Sequence, residues 1–160
     1  MVSPCRGLLS STSVPEAPLH FRQRHRLSHA REFAAAFNAK VRKSRGPLLV
    51  FTLPNDLGHS RLGLSVGTRV GNAVARNRVK RLIREAFRLE QHALVIDGRG
   101  YDIVATVRPA ARGDGSARPR QPLMPLASLR RVLVDLVREA DTEWRRRERR
   151  DAAAGSEAQP

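Results

Sequence analysis

Hydrophobic positions along the chain change their spacing several times, and each change predicts an element. From Leu27 onward, Phe33, Ala36, Phe37 and Val41 recur at helical spacing, and Ser28 is placed to cap the helix they define. The stretch "GPLLVFTLPN" is an apolar run bounded by Gly-Pro and Pro-Asn, which predicts a buried strand. In "SRLGLSVGTRVG", Leu62, Leu64 and Val66 alternate with Gly63 and Ser65, which predicts a second strand. The connection "NDLGHS" is short, so these two strands are expected to pair as an antiparallel hairpin. Asn72 can cap a helix running to about Gln91, and "GYDIVATVRPA" reads as a third strand stopped by Pro109. A last helix sets Leu126, Leu129, Leu133, Leu136, Val137, Ala140 and Trp144 on one face.

The order α-β-β-α-β-α predicts an α+β fold, with helices packed on one small mixed β-sheet. Residues 1–20 are rich in Ser and Pro and poor in large apolar groups, so they cannot offset their chain entropy by burial. They are expected to form a disordered arm, followed by a single domain over residues 21–145. Residues 112–125, "RGDGSARPRQPLMP", read as a Gly/Pro/Arg loop. Residues 146–160 carry no apolar face and are expected to be a disordered, solvated tail.

Charge sharpens the picture. Lys and Arg number 30 against 15 Asp and Glu, a formal charge of +15, which points to a polyanionic partner and above all to nucleic acid. An anionic membrane surface fits less well, because aromatic anchors are scarce at 4% of residues. The lone cysteine, Cys5, can build neither a disulfide framework nor a cysteine zinc site within one chain, and fits a reducing, cytoplasmic setting. No run of 18 apolar residues and no apolar signal core occurs, so a soluble protein is expected.

The charge is concentrated in "VGNAVARNRVKRLIREAFR", residues 70–88. At about 100° per residue, Val79, Leu82, Ile83, Ala86 and Phe87 share one sector. Arg76, Lys80, Arg81, Arg84 and Arg88 share an adjoining face around Asn77, while Arg78 lies apart. A merely solvated helix face usually mixes signs so that acids and bases pair at i,i+4. Here only Glu85 relieves the cations, and Arg predominates, whose planar fork matches phosphate oxygens. Other features carry less. His20, His25, His29, His59 and His92 show no metal-ligand spacing, no nucleophile elbow frames a serine, and Gly67 and Gly71 mark a turn more readily than a phosphate site.

The residues "GNAVARNRVKRLIREAFR" after "LGLSVG" resemble the signature of the bacterial ribonuclease P protein family, with Arg76-Asn77-Arg78 at the family's Arg-Asn-Arg motif. "HRLSHAREFAAAF", "LLVFTL" and "GYDIVATVRPA" are similar to the family's first helix, first strand and post-motif strand, so the likeness spans roughly residues 22–140. The resemblance implies a ribosomal-protein-S5-like sandwich that binds a catalytic RNA and assists it in removing the 5′ leader of precursor tRNA. It implies no catalytic residue in the protein, because the RNA holds the Mg²⁺ ions, and it points to no metal ligand on the chain while leaving protein-bound metal sites open. Contact with the catalytic RNA carries over to Arg76, Asn77, Arg78, Lys80, Arg81, Arg84 and Arg88. Contact with the single-stranded leader carries over to Phe33, Phe37, Phe51 and Arg69, although Phe33 and Phe37 at i,i+4 would equally suit a plain core. One departure is Thr68, where the family often has a second basic residue beside the position of Arg69. Without the resemblance, a structural or ribosomal RNA-binding protein is the competing reading. A DNA-binding regulator would need a helix-turn-helix pair, and none precedes the basic helix.

Overall fold

The computed structural model of the chain describes residues 19–108 and 124–156. Its elements are α1 (Ala30–Asn38), β1 (Arg42–Arg45), β2 (Leu48–Asn55), β3 (Arg61–Ser65), α2 (Ala73–Glu90), β4 (Gly100–Val107) and α3 (Leu126–Ser156), with single 3-10 turns at Gln23–His25 and Thr68–Val70. The strands form one mixed sheet in the order β1-β2-β4-β3, antiparallel at its first two pairings and parallel between β4 and β3. The α+β architecture is therefore the expected one. Residues 1–18 of the arm, the Gly/Pro/Arg loop up to residue 123, Pro109 and residues 157–160 lie outside the described residues.

Four local expectations are corrected. The strands around Val50 and Leu62 do not form a hairpin, because β4 lies between them and pairs with both. The short connection after Asn55 instead crosses the start of β4. Five residues reach up to about 17 Å, enough to span the ~10 Å of two strand spacings. Gly100 makes the crossing possible, since a Cβ there would collide with the His59 carbonyl and the Asn55 side chain. Ser60 fastens the far end, its Oγ donating to the Leu94 carbonyl and accepting from the Tyr101 N–H at 2.8 and 2.9 Å.

Second, β1 is an additional strand that the apolar pattern does not mark, because its residues "RKSR" are all polar. It is the sheet edge, where exposed charge discourages pairing with another chain. Val41 accordingly lies beyond α1, buried but not helical. Third, α1 begins after His29 rather than Ser28, and Glu32 Oε2 accepts from both backbone N–H groups, at 2.9 Å from Ser28 and 3.0 Å from His29.

Fourth, α3 does not stop near residue 145 but continues through Ser156. Its Arg, Glu and Ala residues are good helix formers, and the distal turns are tied to the body. Arg145 pairs with Asp97 at 2.6 Å, Glu148 pairs with Arg99, and Arg147 donates to the Ala39 carbonyl at 2.9 Å.

Alternation along the strands divides the interior in two. Leu48 and Val50 of β2, Leu62 of β3 and Tyr101, Ile103 and Ala105 of β4 pack with Val79, Ile83 and Phe87 of α2 and Leu133, Leu136 and Val137 of α3. This is the main core, and burial of such apolar area is the chief stabilising term. A smaller cluster of Leu27, Ala36 and Val104, with Phe33, Phe51 and Leu53 against it, holds α1 to the opposite sheet face. Arg61 reinforces that attachment. It pairs bidentately with Asp102 at 2.8 and 2.6 Å and reaches Glu32 on α1 at 2.7 Å.

Candidate nucleic-acid interface

The geometry of the basic helix begins at its cap. Asn72 Oδ1 accepts the Ala75 N–H at 2.9 Å, as expected. Gly71 just before it has φ 145°, a conformation that favours glycine. Val79, Ile83, Ala86 and Phe87 are buried, which fixes the roll of α2 against the core. Asn77, Arg78, Arg81 and Arg84 are then exposed, while Arg76 and Lys80 are half-buried. None of these five cations forms an ion pair among the described residues, so the face keeps its full positive charge. Arg76, Lys80 and Arg84 make one row at four-residue spacing. Arg78 and Arg81 make a second row that turns toward α3, where they rim a groove of about 580 Å³ lined also by Leu82, Glu85, Met124 and Leu126.

Two members of the set differ from the rest. Arg76 falls near the buried stripe, and its Nε is buried with no partner among the described residues. Arg88 has its donors occupied: Nε and one terminal nitrogen bind Glu85 at 2.9 and 2.6 Å, and the other donates to the Leu19 carbonyl at 2.8 Å. The Arg88 guanidinium in turn holds the Glu85 carboxyl below its ordinary pKa, so the one acid on this face stays ionised and internally paired.

The second surface is the sheet face beneath α1. Phe37 is one of three large hydrophobic side chains exposed among the described residues, at 37%. Its ring meets that of Phe51 edge to face, with centroids 4.7 Å apart and planes at 78°. Phe33, one turn earlier, instead lies over Gly63, where any Cβ would come within 2.7 Å of its ring. Phe33 is therefore packed, and Phe37 and Phe51 are the presented pair.

Strand register adds residues that the hydrophobic pattern does not single out. Directly paired residues share a face, so Arg42 stands beside Phe51, and Ser44 beside Leu49, which stands in turn beside Thr106. Arg108 donates to Ser44 Oγ at 3.3 Å. The floor thus runs from apolar and aromatic groups to a basic edge, a composition suited to unpaired bases and their phosphates. The signal for these residues was the alternation within β2, but it becomes readable only once β1 and β4 are placed on either side. Arg69 is exposed in the turn at Thr68–Val70, on the segment that joins β3 of this face to α2. Arg45 is taken up by Asp135 and Glu139 of α3.

Comparisons with known proteins agree with this geometry. The family model described as Ribonuclease P matches residues 21–128. The chain belongs to that family, a class of α+β ribonuclease proteins. Among curated relatives, the ribonuclease P protein component of Chromobacterium violaceum is 44% identical over 86 residues, covering 53% of this chain and 69% of that protein. That of Lachnoclostridium phytofermentans is 33% identical over 107 residues, covering 67% and 90%. Among solved structures, the RNase P protein of Staphylococcus aureus superposes with TM-score 0.53 at 28% identity over 72% of this chain and 94% of its own. That of Thermotoga maritima gives 0.55 at 26% identity over 71% and 96%.

Among the described residues no group of three or more His, Cys, Asp or Glu is arranged to hold a metal ion. No described helix is long and apolar enough to cross a membrane.

Proposed function

We propose that this chain is the protein subunit of ribonuclease P, which assists a catalytic RNA in cutting the 5′ leader from precursor tRNA. The observation that carries the reading is the unpaired cationic face of α2, held at fixed roll by a buried stripe. In this reading α2 grips the catalytic RNA through Arg76, Asn77, Arg78, Lys80, Arg81 and Arg84, with Arg88 bracing the helix from within. The floor at Phe37 and Phe51 receives the single-stranded leader, with Arg42 and Arg69 at its margins. Rings that stack on bases tolerate any sequence, as a subunit serving many precursors requires. Mg²⁺ is held by the RNA, hydrolysis is carried by the RNA, and the complex works in the cytoplasm.

The test is reconstitution with the cognate catalytic RNA, followed by precursor-tRNA cleavage at low Mg²⁺. Addition of the chain should raise the rate, and the Arg76→Ala, Arg78→Ala, Arg84→Ala triple variant should bind the catalytic RNA more weakly with a flatter salt dependence. RNA binding without any effect on cleavage would instead make the chain a structural RNA-binding protein.

A further inference from the structure

Most acids of α3 are taken up by arginines. Asp141, Glu143 and Glu148 are each paired with an arginine, Asp141 and Glu143 with Arg145 and Arg147 of α3 itself and Glu148 with Arg99 of the body. Asp135 and Glu139 are both held by Arg45 of β1. What remains is one acid, Asp151, and five arginines, Arg131, Arg138, Arg146, Arg149 and Arg150, all exposed and without an ion pair among the described residues. At about 100° per residue the five arginines fall within a sector of roughly 120°, a stripe about 28 Å long. Asp135 and Glu139 also enter it, but beyond Glu139 its only charged residues are Arg146, Arg149 and Arg150, and Asp151 lies on another side.

We propose that this stripe is a second RNA-backbone contact, separate from the α2 face. It rests on the ribonuclease P reading. A solvated helix mixes signs on its outer face, whereas here every acid of α3 but Asp151 is engaged, and the sector past Glu139 is left cationic. The stripe is also held in place. Trp144 Nε1 donates to the buried Thr52 Oγ1 at 3.2 Å, Tyr101 donates to Asp141 at 2.5 Å, and Arg147 is bound to the Ala39 carbonyl, so the roll of α3 is fixed up to its distal turns.

Upstream of these distal arginines, α3 lies beside the edge strand β1, where Arg45 holds Asp135 and Glu139, and the same strand borders the Phe37 and Phe51 floor through Arg42. The occupant is a phosphodiester backbone rather than a membrane or an apolar protein surface. Arginines clustered on one side of the distal turns suit successive phosphates, and α3 exposes none of the large apolar anchors that an amphipathic membrane helix needs. The family match ends at residue 128, so this surface lies outside the part of the chain that the family model describes.

The test is the Arg146→Gln, Arg149→Gln, Arg150→Gln triple variant of the full chain, with the corresponding Lys triple variant as control and circular dichroism to verify helix content. Salt-dependent binding is measured for the catalytic RNA, and for precursor tRNAs of increasing leader length in the holoenzyme. With contact to phosphates, the Gln variant lowers the slope of log affinity against log salt by about 2 to 3, while the Lys variant keeps it. A change with the catalytic RNA alone, or one that appears only with long leaders, assigns the backbone to one RNA or the other. Unchanged slopes with both RNAs, while the α2 triple variant loses its own, overturn the proposal and leave the ribonuclease P reading standing. Loss of binding to anionic phospholipid vesicles without loss on RNA overturns it in favour of a membrane surface. No effect of either variant on RNA binding overturns both readings.

Discussion

Phe37→Leu separates a base-stacking ring from a packing ring. Phe37 is already 37% exposed, so little burial is at stake. The main structural loss is its edge-to-face contact with Phe51, centroids 4.7 Å apart, a geometry worth about 0.5–1.5 kcal/mol. Leucine keeps much of the apolar bulk, so the melting temperature should fall by only a few degrees. The functional loss is larger if a leader base stacks on the ring. Stacking contributes about 1–3 kcal/mol per base, which corresponds to a roughly 5- to 150-fold loss of affinity at 1.4 kcal/mol per tenfold. The assay compares holoenzyme binding of precursor and mature tRNA with thermal unfolding of the same preparation. Precursor affinity should drop while mature tRNA, which has no leader, binds as before. Phe33→Leu is the internal contrast, one turn away on the same helix. Its ring is packed over Gly63, so the change should register as stability, typically about 1 kcal/mol, and not as leader affinity. Equal proportional losses for both tRNAs with Phe37→Leu, or a change in stability alone, would refute the reasoning and place Phe37 in the core.

Two further outcomes test how α1 is held over the sheet. The backbone N–H of His29, joined by that of Ser28 and by Arg61, depresses the Glu32 pKa from 4.5 to about 2, so its ionised form favours the fold. This stabilisation is full above pH 4.5 and disappears as pH falls toward 2, and at 1.36 kcal/mol per unit it is at most about 3 kcal/mol. Urea midpoints should therefore show Glu32→Gln clearly less stable than the parent at pH 7 and nearly equal to it near pH 2.5; a gap independent of pH would contradict the assignment. Gly63→Ala should cost about 1–3 kcal/mol, because the new Cβ would lie 2.7 Å from the Phe33 ring and force α1 outward. A loss below about 0.5 kcal/mol in the same titration would mean that α1 accommodates the methyl without cost.

Local chemistry made much of this protein readable in its sequence. The roll and capping of α2 follow from the spacing of Val79, Ile83 and Phe87 and from Asn72, since one helix face must be buried whatever it packs against. The cationic face of α2 is legible for the same reason, as are β2, β4 and the apolar face of α3, where periodicity and burial coincide. What sequence could not decide was set by residues far apart in the chain. The insertion of β4 between β2 and β3 depends on Gly100 passing beneath the His59 carbonyl, a contact between segments that no local pattern couples. The polar strand β1 exists because β2 offers it an open edge, and its own residues do not announce it. Phe33 and Phe37 have the same spacing and chemistry, and only the placement of Gly63 under one ring and of Phe51 against the edge of the other divides packing from presentation. The distal turns of α3 lack an apolar stripe, so periodicity predicts a tail. Ion pairs to Asp97 and Arg99 and a hydrogen bond to the Ala39 carbonyl hold them in register, because charges that are solvated in an extended chain find fixed partners once the body has folded.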